Sequence, residues 1–85
     1  MTTYRVEFTT AAAKQVRKLD PTIRRRIVAA ISLLEENPRP SGSKKLGEQF
    51  AWRVRIGAFR VIYDIEDDQL TVTVVRAAHR REVYA

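Results

Sequence analysis

Residues 52–63 read Trp-Arg-Val-Arg-Ile-Gly-Ala-Phe-Arg-Val-Ile-Tyr. Apolar and basic residues alternate on both sides of Gly57-Ala58, the pattern of two antiparallel strands joined by a two-residue Gly-X turn. Pairing outward from that turn sets Ile56 opposite Phe59, Arg55 opposite Arg60, Val54 opposite Val61, Arg53 opposite Ile62 and Trp52 opposite Tyr63. Strand side chains alternate between faces, so Trp52, Val54, Ile56, Phe59, Val61 and Tyr63 share one face. Arg53, Arg55 and Arg60 share the other. Like charges directly across a strand pair are destabilising, so a hairpin that gathers three guanidinium groups on one face implies an anionic ligand there.

The flanking segments supply the rest of a small α+β fold. Residues 4–8 alternate and predict a first strand with Tyr4, Val6 and Phe8 toward the core. Thr9 or Thr10 is a suitable N-cap for a first helix reaching about Leu19, with Ala12, Val16 and Leu19 as its apolar stripe. Asp20 caps and Pro21 opens a second helix, in which Ile23, Ile27, Ala30, Ile31 and Leu34 recur at helical spacing. Asn37-Pro38 ends it, and the two helices form an αα-hairpin. Residues 39–49 carry Pro40, Ser41, Gly42 and Gly47 and read as a loop, with Lys44 and Lys45 adding charge beside the basic hairpin. After the turn at residues 66–69 a last strand covers residues 70–77, with Leu70, Val72 and Val74 opposite Ile65, Tyr63 and Val61. The predicted order is β-α-α-β-β-β: an antiparallel-rich four-stranded sheet with the αα-hairpin on its apolar face. The arginine face stays open. The tail leaves the last strand near the Gly57 turn, within reach of the basic face for His79, Arg80 and Tyr84.

Composition narrows the functions. Eighty-five residues make one small domain, residues 1–85, with a formal charge of +6 from 16 Lys and Arg against 10 Asp and Glu. The sequence pI near 10.3 favours a polyanionic partner, nucleic acid first and an acidic protein second. No cysteine and one histidine exclude disulfide and thiol chemistry and make a transition-metal site unexpected; no cofactor is expected. No apolar run approaches the roughly 18 residues of a membrane span, and the N-terminus lacks a signal-peptide core, which predicts a cytoplasmic protein without a membrane partner.

The order of elements, the run Arg55-Ile-Gly-Ala-Phe-Arg-Val-Ile-Tyr63 and the closing His79-Arg-Arg-Glu-Val-Tyr84 resemble the RelE/ParE superfamily of bacterial toxins over nearly the whole chain. The tail motif favours the RelE-like branch. The resemblance implies a type II toxin–antitoxin toxin, a ribosome-dependent endoribonuclease (mRNA interferase) that cuts mRNA in the 30S A site against rRNA. It also implies a cognate antitoxin that holds the toxin inactive, and operator DNA reached only through that complex. By motif position Arg53 and Arg55 fall on basic hairpin residues that are lysines in the best-known RelE pattern. Arg60 falls on the catalytic arginine, Arg80 on the basic residue after the last strand and Tyr84 on the catalytic tyrosine. The Arg80–Tyr84 spacing is shorter than in that pattern.

RNA cleavage without a metal requires a base for the 2′-hydroxyl, cations for the charge developing on phosphorus and an acid for the departing 5′-oxygen. The arginine fork matches phosphate oxygens and stays charged at any working pH, which assigns Arg53, Arg55 and Arg60 to phosphate binding and transition-state stabilisation, with Lys44 and Lys45 as further phosphate contacts. Tyr84 is the base by resemblance, its phenolate favoured by the surrounding arginines. His79 is the side chain whose ordinary pKa lies near neutrality and is the expected second proton carrier. Trp52 and Tyr63, on the other face, are core residues, and Arg24, Arg25 and Arg26 read as a solvated helix face. Two alternatives share the fold: a ParE-like inhibitor of DNA gyrase, which needs no acid–base pair, and a non-catalytic nucleic-acid-binding domain.

Overall fold

The computed structural model describes residues 3–47 and 51–79. In chain order they form β1 (Arg5–Phe8), α1 (Thr10–Arg17), α2 (Pro21–Leu33), β2 (Lys44–Lys45), β3 (Ala51–Ile56), β4 (Phe59–Glu66) and β5 (Thr71–His79). The strands make one sheet in the order β1-β5-β4-β3-β2, with β1 parallel to β5 and every other pair antiparallel. Among the described residues the sheet therefore has five strands, not four: two residues of the expected loop pair with β3 as a short edge strand.

Both helices start where capping chemistry directs. Thr9 Oγ1 accepts from the Ala12 N–H at 3.1 Å, and Asp20 Oδ2 from the Thr22 N–H at 3.1 Å, with Pro21 at the first position of α2, where no N–H is needed. From the helices Ala12, Val16, Ile27, Ile31 and Leu34 pack onto Val61, Tyr63, Ile65, Val72, Val74 and Ala77 of the sheet. Removing each large apolar side chain from water contributes about 1.5–3 kcal/mol. Tyr4 and Val6 pack at the margin of this core, whereas Phe8 is exposed at the sheet's edge.

The β3–β4 register is the expected one at all five pairs, from Ile56–Phe59 to Trp52–Tyr63. Gly57 has φ +60° and Ala58 a negative φ, the φ pattern of a type II′ turn, which suits the right-handed twist of the strands it joins. The β4–β5 register differs from expectation. A 3-10 turn at Asp67–Gln69, closed by Leu70 in the left-handed region at φ 49°, takes Leu70 out of the strand. Val72 then pairs with Ile65 and Val74 with Tyr63, two residues from the predicted partners but on the same faces. Past Val74 the alternation inverts: Tyr63 pairs with Val74 and Ile62 with Arg76, leaving Val75 as a bulge. Beyond it Ala77 faces the core, and β5 continues to His79.

The segment after α2 is pinned by side chains. The Tyr63 hydroxyl donates to the Pro38 carbonyl at 2.7 Å. Arg39 forks onto Asp67 at 2.8 and 3.1 Å, with its guanidinium carbon 5.2 Å from the Trp52 ring centroid. These anchors deliver Lys44 and Lys45 to the edge of β3.

Candidate nucleic-acid interface

On the sheet face away from the helices, residues directly opposite one another build rows across the strands. One row is Arg55–Arg60–Ala78, at the turn end. The next is Lys44–Arg53–Ile62–Arg76. The third, Ala51–Asp64–Thr73–Glu7, carries the acidic residues. Rows two residues apart lie roughly 6.8 Å from each other, so this face passes from acidic to basic over a short distance toward Gly57. An anion meets its most favourable potential at the turn end.

Arg55 is exposed, but Arg53 and Arg60 retain only 9 % and 8 % of their accessible surface. Arg53 Nη1 is buried and finds no acceptor among the described residues. A buried donor without an acceptor costs about 1–3 kcal/mol, more for a charged group, so an oxyanion that reached it would recover that cost. Beside the turn, Arg55, Gly57, Ala58, Phe59 and Arg60 line a cleft of about 80 Å³, room for a few waters or one tetrahedral oxyanion. A further cation comes from α2: the Arg26 guanidinium lies 3.6 Å from the position a Cβ on Gly57 would take. Arg26 thus leans over the turn instead of belonging to a purely solvated helix face. Arg24 Nη1 donates to the Arg17 carbonyl at 3.2 Å.

The expected site residues separate into two groups. Arg53, Arg55, Arg60 and Lys44 share the face away from the helices, but it is not open throughout as expected: Arg55 and Lys44 are exposed, whereas Arg53 and Arg60 are buried. Lys45 stands opposite Trp52, on the helix-bearing side of the sheet, because neighbouring residues of β2 point to opposite faces. His79 is likewise placed on that side, not among the residues of the basic row. It pairs with Phe59, their ring centroids 5.5 Å apart and nearly perpendicular, in an open depression of about 660 Å³ shared with Gln15, Lys18 and Leu19. The bulge at Val75 is the physical reason, since it reverses which face each later residue of β5 meets. Arg80 and Tyr84 lie outside the described residues. Arg76, absent from the expected site, is on the basic face.

Two shifted phenols lie away from this face. Burial pushes the Tyr63 hydroxyl above its ordinary value, and the hydrogen bond to Asp67 raises Tyr4. Asp67 is lowered by its hydrogen bonds from Arg39 and Tyr4. These groups hold the fold, not the site.

Residues 6–84 match the family model of the ParE toxin of the type II toxin–antitoxin system parDE. Toxin RelG of Mycobacterium tuberculosis is 36 % identical over 84 residues, 95 % of each chain. The mRNA interferase toxin RelE of Escherichia coli is 27 % identical over 86 residues, covering 96 % of this chain and 90 % of RelE. Among solved structures, the toxin–antitoxin complex RelBE2 of M. tuberculosis superposes with a TM-score of 0.82 at 34 % identity over 94 % of each chain. The archaeal RelE–RelB complex of Pyrococcus horikoshii gives a TM-score of 0.82 at 27 % identity, over 94 % of this chain and 97 % of the other.

Proposed function

The chain belongs to the RelE/ParE superfamily of type II toxin–antitoxin toxins, on its RelE-like branch, and from that membership we propose that it is a ribosome-dependent endoribonuclease that cuts mRNA in the A site. The observation that carries the proposal is the Arg55–Arg60 pair beside the turn cleft, with Arg53 one row behind it. In this reading the 2′-oxygen attacks the adjoining phosphorus while Tyr84, the base by resemblance, takes its proton. The P–O5′ bond breaks, leaving a 2′,3′-cyclic phosphate, and the 5′-oxygen acquires a proton from water. Arg55 and Arg60 hold the non-bridging oxygens as negative charge grows on them, and Arg80 stabilises the departing oxygen. Arginine serves charge stabilisation well and proton transfer poorly. His79, packed on Phe59 across the sheet, receives no proton-transfer role. A separate antitoxin protein that covers the basic face would disable the site, a partner suggested by the relatives solved as toxin–antitoxin complexes.

Primer extension on a reporter mRNA in a translating extract tests the proposal. Cuts inside codons that require ribosomes and vanish in Arg60→Ala and Tyr84→Phe are expected. Intact mRNA would reject it. A second reading, inhibition of DNA gyrase, is favoured by the match to the ParE toxin model; it predicts loss of supercoiling activity instead, with Arg60 and Tyr84 individually dispensable.

A further inference from the structure

Val74, Val75 and Arg76 would ordinarily alternate, which would send Arg76 to the face of Val74, into the core. The bulge prevents this. Val75 has no cross-strand partner, and Arg76 stands opposite Ile62 on the basic face. Such bulges commonly re-aim a side chain next to a functional site. This one is held at three points by α1 and its N-cap, Thr9. The Thr9 N–H donates to the Val74 carbonyl at 3.0 Å, Thr9 Oγ1 donates to the Val75 carbonyl at 3.4 Å, and Gln15 Oε1 accepts from the Ala77 N–H at 2.8 Å. The result is a row with Lys44, Arg53 and Arg76 on three of its four strands, only Ile62 being uncharged. Lys44 and Arg53, directly opposite one another, repel, and Arg53 has a buried donor with no acceptor among the described residues. An anion over Ile62 that reached the Arg53 guanidinium would offset both.

We infer that Arg76 is a phosphate-positioning residue: with Arg53, across Ile62, it grips the phosphate next to the one held by Arg55 and Arg60. The two rows are roughly 6.8 Å apart, two residues of strand, close to the repeat of phosphates along an extended single strand. The third row carries Asp64 and Glu7 and repels a further phosphate, so the face accommodates a short stretch of RNA with its backbone running from the turn toward Ile62. The identity of the strand as RNA rests on the reading above; the second anion row rests on register and on the buried Arg53 donor.

The test is binding of a short single-stranded RNA, 2′-O-methylated throughout so that it cannot be cut, measured by fluorescence anisotropy over a series of salt concentrations. Each phosphate contact contributes about 0.7 to the slope of log K against log salt for a single strand. Arg76→Gln should weaken binding about tenfold or more and lower the slope by about 0.7. Arg76→Lys should keep the slope, and Arg25→Gln, on the exposed side of α2, should change neither. Ile62→Glu, which places a carboxylate between Arg53 and Arg76, should abolish binding and serves if Arg76→Gln does not fold. An unchanged slope in folded Arg76→Gln, or undiminished binding by Ile62→Glu, overturns the inference, as does absence of RNA binding by the wild type. Binding that behaves as expected without cleavage on ribosomes would remove the proposed reaction and leave the second row standing.

Discussion

The side-chain oxygen of Gln15 accepts a hydrogen bond from the Ala77 N–H at 2.8 Å. The parallel partner of β5 ends at Phe8, opposite Val74, so beyond the bulge a helix side chain stands where a neighbouring strand would. The contact fixes the frame in which Ala77 enters the core and Arg76 leaves it. Helix α1 thereby governs the charge of the opposite face of the sheet.

Gln15→Leu should therefore lower stability by about 1–3 kcal/mol, the cost of a part-buried N–H left without an acceptor. It should also weaken RNA binding, because β5 loses the tie that holds Arg76 in register. Urea denaturation checks the first effect and anisotropy the second. An unchanged midpoint would show that Thr9 and β4 hold the bulge without Gln15.

Tyr63→Phe should cost about 1–2 kcal/mol, since the Pro38 carbonyl loses its buried donor. The phenol also carries a pH signature. Its pKa is raised from 10.0, chiefly by burial, so the fold favours the neutral form. That contribution is complete below pH 10 and is lost as pH rises through the raised value. The stability gap between wild type and Tyr63→Phe should shrink above pH 10 in denaturation curves. A gap that stayed constant there would contradict the assignment.

Asp67→Asn probes the anchor that seats β2. Asp67 is held below its ordinary 3.8 by hydrogen bonds from Arg39 and Tyr4. A lowered carboxylate stabilises the fold above its unfolded value, and the contribution is lost as pH falls through the folded one. The wild type should melt slightly above Asp67→Asn at neutral pH, the difference closing below pH 3.8 and in high salt, because the pair is solvent-exposed. Equal melting at neutral pH would show that the Tyr63–Pro38 bond and the Arg39–Trp52 contact hold the segment without Asp67.

The hairpin was legible because its signal is local: a two-residue turn between alternating runs fixes register, and register fixes faces. The helices were legible for the same reason, through caps and the spacing of Ile27, Ile31 and Leu34. Strand β2 was not, since Lys44 and Lys45 carry no strand signal of their own and are held by contacts of Arg39 and Tyr63 with distant residues. The bulge was signalled only by Arg76 occupying the parity of Val72 and Val74, followed by two adjacent apolar positions at Ala77 and Ala78. Read that way, the run would have placed Arg76 on the basic face and His79 opposite Phe59. The arginines of the hairpin came directly from alternation. The roles of Arg80 and Tyr84 rest on the closing motif, because they lie outside the described residues.

The central claim is that Arg60 and its neighbours drive attack by a 2′-hydroxyl on the phosphate they hold. Its most direct test is single-turnover cleavage of a short synthetic mRNA on purified programmed ribosomes, with one 2′-deoxy substitution at the nucleotide before the cut. The account predicts rapid cleavage of the all-ribose message and none of the 2′-deoxy message. It also predicts a loss of about 10²–10³ in rate for Arg60→Ala. Cleavage that survives the 2′-deoxy substitution, or an Arg60→Ala rate within twofold of wild type, would contradict it.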